Sequence, residues 1–348
     1  MFTSSKPLFA ISLFVAATAL AQPSFRITSF ISHRDLTDRQ KADIERYAQG
    51  WSEAMFTDDA KALSEARRSL AEPLDKRWGM SNTARMHYGE SLLSAFEPFF
   101  AKENKNVMAA TNALQVLSLL GTERSVTTMM HHASISSEDR SAIRQWASVG
   151  LGNSFQSGKL TLNRLKSAAT LLADAASLEP VWHVATRQLQ SLGSLIVTPG
   201  LRRSELKELQ RVSFRLQVQA ISNIIEDIAA SKAASLRMRA VRSGLASLRL
   251  QLIEPGVETS LKSDTVSELV PVLVRALQVV SAQSEDARQV EELLDSYGGV
   301  ISTADAMLRR HAGGRDVGDT SIRERWVSGD DGALKDVISY WQAQVPLH

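Results

Sequence analysis

The residues most able to do chemistry in this sequence are its histidines. His131 and His132 are neighbours, and paired imidazoles are a common start to a metal site. Adjacent residues of a helix point about 100° apart, so the two cannot readily meet one ion. Thr127, Thr128, Ile135 and Ser136, the neighbours three and four positions away, supply no strong ligand. His87 and Glu90 share a helix face, but in the reverse of the Glu-x-x-His order used by di-iron bundles and without a second copy. They are expected to form a solvated surface pair. An enzyme reading would need His87, His131, His183 or a glutamate to act as acid or base in a pocket assembled from distant parts of the chain.

Nucleophile and phosphate motifs end in the same place. Ser204-Glu205-Leu206-Lys207 spells Ser-x-x-Lys, in which the lysine would deprotonate the serine, but the accompanying Ser-Asp-Asn and Lys-Thr-Gly elements are missing. Ser204 is expected to cap a helix instead. Gly152-Asn153-Ser154-Phe155-Gln156 lacks the closing glycine of a nucleophile elbow. The chain has no Walker-type loop, no dinucleotide fingerprint and no calcium-loop spacing around Asp316 and Asp319. The expectation is therefore no catalytic residue, no cofactor and no metal, and a non-enzymatic role. Trp51, Trp78, Trp146, Trp182, Trp326 and Trp341 are spread along the chain, as core anchors would be rather than a stacking platform.

The elements that would position any site are helices. The chain holds only 18 Gly and 9 Pro among 348 residues, and Ala, Leu, Arg, Glu, Gln and Ser dominate over runs of alternating β-branched residues. The expected class is all-α. The segment 25–31, FRITSFI, alternates like a strand but has no partner. Helices are expected from Asp38, at 58–72 and 82–96 (ended by Pro73 and Pro98), and at 104–121, 123–132, 138–152, 160–177 and 181–193, joined by links short enough to make neighbours antiparallel. Longer helices follow at 204–228, 234–253, 264–282 (with Pro271 as a possible kink), 285–296, and from an Asp330-Asp331 cap to 344. The segment 311–321, HAGGRDVGDTS, is expected to be a flexible loop.

Within this series Val107, Ile143 and Val181 lie 36 and 38 residues apart, each followed four positions on by Thr111, Ala147 or Ala185 and later by Gly121, Gly152 or Gly193. A period near 40 residues built of two helices is that of HEAT-type repeats. The segment SEDRSAIRQWA, with Asp139, Ile143, Arg144 and Ala147, resembles the Asp…Val-Arg…Ala core of a HEAT repeat. The resemblance covers about residues 82–230 and implies a right-handed α-solenoid of antiparallel hairpins. It also implies that Asp and Arg stack in ladders between repeats while the small residue lets paired helices approach. Met108 and Trp182 stand where the flanking units would carry the arginine, a departure from the pattern.

The expected organisation is a signal peptide at 1–21, an N-terminal helical region at 22–103, HEAT-like repeats at 104–198 and long bundle-like helices at 201–348. Met238, Val241, Leu245, Leu248 and Leu252 form the a/d seam of a bundle, and self-association through 204–253 is one outcome such a seam allows. Lys232, Arg237, Arg239, Arg242 and Arg249 lie on the outer face of that helix, and the acidic 285–296 helix is expected to pack beside it, the alternative being an arginine strip for an anionic partner.

Residues 1–21 read as an export leader: Lys6, an apolar run from Leu8 to Ala17, then Ala19-Leu20-Ala21 before Gln22, small residues set for cleavage. That run is shorter than the roughly 20 residues a membrane span needs, and nothing after it is expected to match its hydrophobicity. The chain has no cysteine and no Asn-x-Ser/Thr acceptor, which fits a bacterial periplasm or the exterior and leaves core packing alone to stabilise the exported protein. With 40 basic and 38 acidic residues, long-range steering toward nucleic acid is weak. The expected partner is another protein.

Overall fold

A computed structural model describes residues 23, 25–312 and 320–344. The leader at 1–21 and most of the 311–321 loop, with Asp316 and Asp319, lie outside the described residues. The described residues fold into helices α1 (Asp38–Glu53), α2 (Ala60–Ala71), α3 (Asn82–Phe100), α4 (Val107–Leu120), α5 (Glu123–His132), α6 (Ser141–Phe155), α7 (Leu162–Leu178) and α8 (Trp182–Gly193). They continue with α9 (Arg203–Ser231), α10 (Met238–Leu252), α11 (Thr259–Ala282), α12 (Ser284–Arg288), α13 (Glu291–His311), α14 (Thr320–Val327) and α15 (Gly332–Gln344).

Side chains start most of the N-terminal helices. The hydroxyls of Thr37, Ser81, Thr122 and Thr161 and the carboxamide of Asn106 each accept a backbone N–H of the first turn, satisfying donors that the helix itself leaves unpaired. Gly121 ends α4 at φ 61, a conformation that costs a side-chain-bearing residue steric strain. α9 departs from expectation: Arg202 precedes it and the Glu205 carboxylate accepts the Arg202 N–H at 2.9 Å, so Ser204 lies inside the first turn. Pro98 does not end α3, which runs through it to Phe100, and α11 likewise continues through Pro271. The 25–31 segment is bends and turns rather than strand, with Ile27 and Ile31 both buried.

Packing follows one rule over most of the chain: a helix lies against the one two places further on. α4 packs on α6, α6 on α8 and α8 on α10, while α5 packs on α7, α7 on α9, α9 on α11 and α11 on α13; past the short α12 the spacing widens, α10 also meeting α13 and α11 meeting α15. The first series approaches closely because its contact positions are small. A Cβ at Gly152 of α6 would sit 2.9 Å from Ser191 Oγ and 3.3 Å from the Ser191 Cα of α8. Hydroxyls cross the same seam, Ser154 Oγ donating to the Ser118 carbonyl at 3.3 Å and Ser191 Oγ to the Ser148 carbonyl at 2.7 Å.

Met238, Val241, Leu245, Leu248 and Leu252 are all buried, and α10 packs with α8, α9 and α13. The apolar seam is consumed inside the molecule, which removes the ground for self-association through it. The acidic segment is two helices, α12 and α13, and α13 lies beside α10 with Arg242 and Asp295 paired at 2.5 Å. α11 carries an apolar window of mean hydropathy 1.4, long enough by composition to cross a membrane. This amends the expectation that nothing matches the leader; half of that window is buried, as a core helix requires. Among the tryptophans, Trp326 is fully buried and Trp51 and Trp341 nearly so, but Trp146 is 36% exposed and is not a core anchor.

Ile143 and Ala147 are buried, and Arg144 is buried with them. The Asp–Arg ladder implied by the resemblance is not formed. Arg144 meets Glu179, just before α8, by two 2.7 Å hydrogen bonds, and takes from Asp139 only its carbonyl, at 2.8 Å. Glu179 also accepts the Val181 N–H at 3.1 Å, just as Glu138 accepts the Arg140 N–H at 3.0 Å ahead of α6. A carboxylate in this position both starts a helix and holds an arginine.

Candidate functional site

α5 has ten residues beside the nineteen of α3, so it leaves part of its neighbour's flank uncovered. The result is a groove of about 830 Å³ lined by Glu90, Ser94, Glu97 and Phe100 of α3 and by Arg124, Thr127, Thr128 and His131 of α5. It continues into a second groove of about 460 Å³ between α1 and α3, which shares Glu90 and Ser94 and adds Glu45, Arg46, Gln49 and His87.

Several of the titratable groups along these grooves are engaged with one another. His87 Nε2 lies 3.2 Å from Glu45 Oε1 and 3.2 Å from the Lys41 carbonyl, while Glu90 pairs with Arg124. The expected His87–Glu90 surface pair is thus replaced by two pairs that tie α3 to α1 and to α5. Turning a full helical step, His131 is exposed and His132 is buried, the divergence that adjacent helix positions dictate. The His132 ring stacks on Phe100 with centroids 4.7 Å apart, and its Nδ1 is 3.1 Å from Glu138 Oε2. Arg140 holds the same carboxylate at 2.7 and 2.8 Å and donates to the carbonyls of Asn104 at 2.8 Å and Phe100 at 3.2 Å. His183 lies elsewhere, on α8 with its ring against Trp182, so His87 and His131 share a groove and His183 does not.

The hydroxyls carry no sign of activation. Ser91 Oγ donates to the His87 carbonyl at 2.9 Å, Thr127 Oγ1 to Glu123 at 2.9 Å and Thr128 Oγ1 to Arg124 at 3.2 Å. A nucleophile would need that proton directed at a base. No group of three or more His, Asp or Glu side chains among the described residues has the arrangement of a metal site. Ser204 and Lys207 do not form a dyad, since Lys207 pairs with Glu258. Ser154 is buried within α6. No protein-family model matches this sequence, and no curated protein is a significant match to it.

Burial lowers the His132 pKa from its ordinary value, against the opposing pull of Glu138. Burial alone would raise the Glu138 carboxyl, but the hydrogen bonds and charge of Arg140, with His132, bring it below the ordinary range. Both shifts favour the folded state at neutral pH. His132 is depressed, so the folded form takes up fewer protons than the unfolded chain, and stability falls as pH drops through the unfolded value of about 6.5. Glu138 adds a second loss only below its unfolded value of about 4.3. The melting temperature of the protein is expected to fall between about pH 7 and 5.5, and a His132→Gln variant should lose much of that slope. An unchanged slope in the variant would assign the acid sensitivity to other groups.

The groove partners that sequence reasoning missed were Glu45 and the Glu138–Arg140 pair. Glu45 is one exposed acid among many on α1, and its meeting with His87 is 42 residues away in the chain. Glu138 has a local signal, an acid three residues before a helix start, but the HEAT-like pattern selects Asp139 beside it.

Proposed function

We propose that this protein is an exported, non-enzymatic helical-repeat scaffold, a HEAT-like α-solenoid that holds another protein. The observation that carries the reading is the packing of α4 to α9, each on the helix two places along. Such a series stacks supersecondary units side by side and leaves long open faces, the feature through which repeat proteins bind. In the α1–α3–α5 grooves the hydroxyls of Ser91, Thr127 and Thr128 give their protons to backbone carbonyls rather than to a base, which supports binding over catalysis. Export rests on the leader at 1–21. The residues after its expected cut pack on the body: a Cβ at Gly50 would lie 2.7 Å from Pro23 Cγ, and the Phe25 and Tyr47 rings are 6.2 Å apart.

Photo-crosslinking in the native compartment tests the reading. A crosslinker at Thr127 reports on the groove, one at Asn153 on the surface of the other helix series, and one at Glu226 serves as a third exposed position. A discrete protein adduct from Thr127 or Asn153, absent from Glu226, is the expected result. Equal diffuse labelling from all three positions, or none, would overturn the scaffold.

A further inference from the structure

The charges of the molecule are sorted between its two helix series. α4, α6, α8 and α10, which pack one on the next, contain no aspartate or glutamate; their charged side chains are Arg144, Arg187, Arg239, Arg242 and Arg249, with His183. The chain as a whole carries 38 acidic residues against 40 basic ones. The opposite series holds acids throughout, as in Glu90 and Glu97 of α3, Asp174 of α7, Glu208 and Glu226 of α9 and Glu268 of α11. Acidic residues reappear only where the carboxylate-free series ends, with Glu65 on α2 and Glu292 and Asp295 on α13.

The surface of the four helices has two halves. On α4 and α6 it is uncharged, with Leu119 49% and Trp146 36% exposed. Arg67, Gln115, Leu119, Trp146 and Asn153 enclose a pocket of about 270 Å³ there, the size of a single large side chain. On α8 and α10 the surface is cationic. Arg187 is exposed and donates to Gln190 Oε1 at 2.8 Å, and Arg239 lies 4.9 Å over the Trp182 ring with its Nε 3.2 Å from Ser296 Oγ. Both guanidiniums are thus oriented by neutral groups. Arg242 shares Asp295 with Arg323.

We propose that the surface of α4, α6, α8 and α10 binds an extended acidic polypeptide segment crossing the four helices, a reading that rests on the scaffold function above and names the partner's chemistry. An apolar side chain of the segment occupies the pocket beside Trp146, and its carboxylates meet Arg187, Arg239 and Arg242. Guanidinium forks match carboxylates bidentately. The exposed amides of Asn153 and Gln190 offer hydrogen-bond donors and acceptors, as a peptide backbone requires. A uniform polyanion such as nucleic acid fits less well, because the α4–α6 half gives its charges little to meet beyond Arg67, which already donates to Gln115.

Packed helices are 8–10 Å apart, so four span about 30 Å, or about ten residues of extended chain. The probe is therefore a fluorescein-labelled peptide of about ten residues alternating glutamate with leucine, with a lysine–leucine counterpart and an oligothymidylate of similar length as comparisons. Fluorescence anisotropy with the full mature protein should show binding of the acidic peptide alone, weakening as salt is raised. An Arg187→Ala/Arg239→Ala variant should weaken it about tenfold or more, the loss expected for two charge-assisted contacts of somewhat under 1 kcal/mol each. Gln190→Glu removes no buried group and should weaken binding by repulsion even if the double variant unfolds. Glu268→Gln, on the exposed face of α11 in the other series, should leave it unchanged. Equal affinity for oligothymidylate would make the surface a polyanion site and overturn the proposal, as would no binding of the acidic peptide or indifference to Gln190→Glu. If crosslinking from Asn153 captures a partner whose contacting segment is not acidic, the scaffold stands and this inference fails.

Discussion

Glu179→Gln is expected to lower the free energy of unfolding by about 3 to 5 kcal/mol, the range for removing one partner of a buried ion pair. The reason is the completeness of the site it disrupts. The Arg144 side chain is 2% exposed and that of Glu179 0%, so no water can replace either. Arg144 Nε and Nη2 donate to the two carboxylate oxygens at 2.7 Å each, and Nη1 donates to the carbonyls of Glu138 at 2.9 Å and Asp139 at 2.8 Å. Glutamine would leave the guanidinium charge buried without a counter-charge and would turn an amide NH₂ toward one of its donors. Urea unfolding measures the effect as a shift in midpoint at constant slope. The double variant Arg144→Met/Glu179→Leu separates charge from packing. It should recover most of the loss, because a buried pair replaced by apolar residues is often close to neutral. A Glu179→Gln protein within about 1 kcal/mol of wild type would show that the pair does not form as described.

This pair also shows how far a sequence can be read. Arg144 was legible as a residue with a structural task, because it sits in a helix start flanked by Ile143 and Ala147, and all three are buried. Its partner was not. Asp139 is five residues away and Glu179 is 35, and a local pattern favours the near carboxylate unless the geometry of the next helical unit is known. The helical class and the 238–252 seam were legible for a different reason: apolar spacing and the scarcity of Gly and Pro act within one helix, where periodicity is fixed by the backbone. Pro98 was misread because a proline in the helix body removes one hydrogen bond, a cost that packing of Phe96 and Phe99, both fully buried, offsets in this fold. The grooves lay beyond sequence altogether. They arise from the unequal lengths of α3 and α5 and from which helices lie side by side. The charge sorting lay between these cases. The absence of carboxylates from four helices is plain in the sequence, but it means nothing until those four are seen to be neighbours.

Trp326→Ala is expected to cost about 3 to 5 kcal/mol, the range for truncating a buried aromatic, and to act first on the C-terminal end of the molecule. α14 has eight residues, too few to be helical by itself, so it depends on its anchor. Trp326 is fully buried, and its indole N–H donates to Ser284 Oγ at 2.9 Å. The Arg288 guanidinium lies 5.0 Å from the ring, and Arg288 Nε donates to the Trp326 carbonyl at 2.7 Å while the same side chain pairs with Asp331. One aromatic residue thus fastens α14 to the α11–α12 junction and sets the turn from which α15 returns to α11. Hydrogen exchange is the discriminating measurement, because the loss should appear as reduced protection over 320–344 at conditions where α4 to α10 remain protected. Trp326→Phe keeps most of the ring but not the donor. Ser284 Oγ still has the Val280 carbonyl at 2.9 Å as an acceptor, so this variant should lose only about 1 to 2 kcal/mol. Uniform loss of protection along the whole chain in Trp326→Ala would mean instead that the C-terminal helices are integral to a single cooperative unit. In that case the terminal helices are not a separable cap, and the series of stacked helices gains stability from its end as much as from its middle.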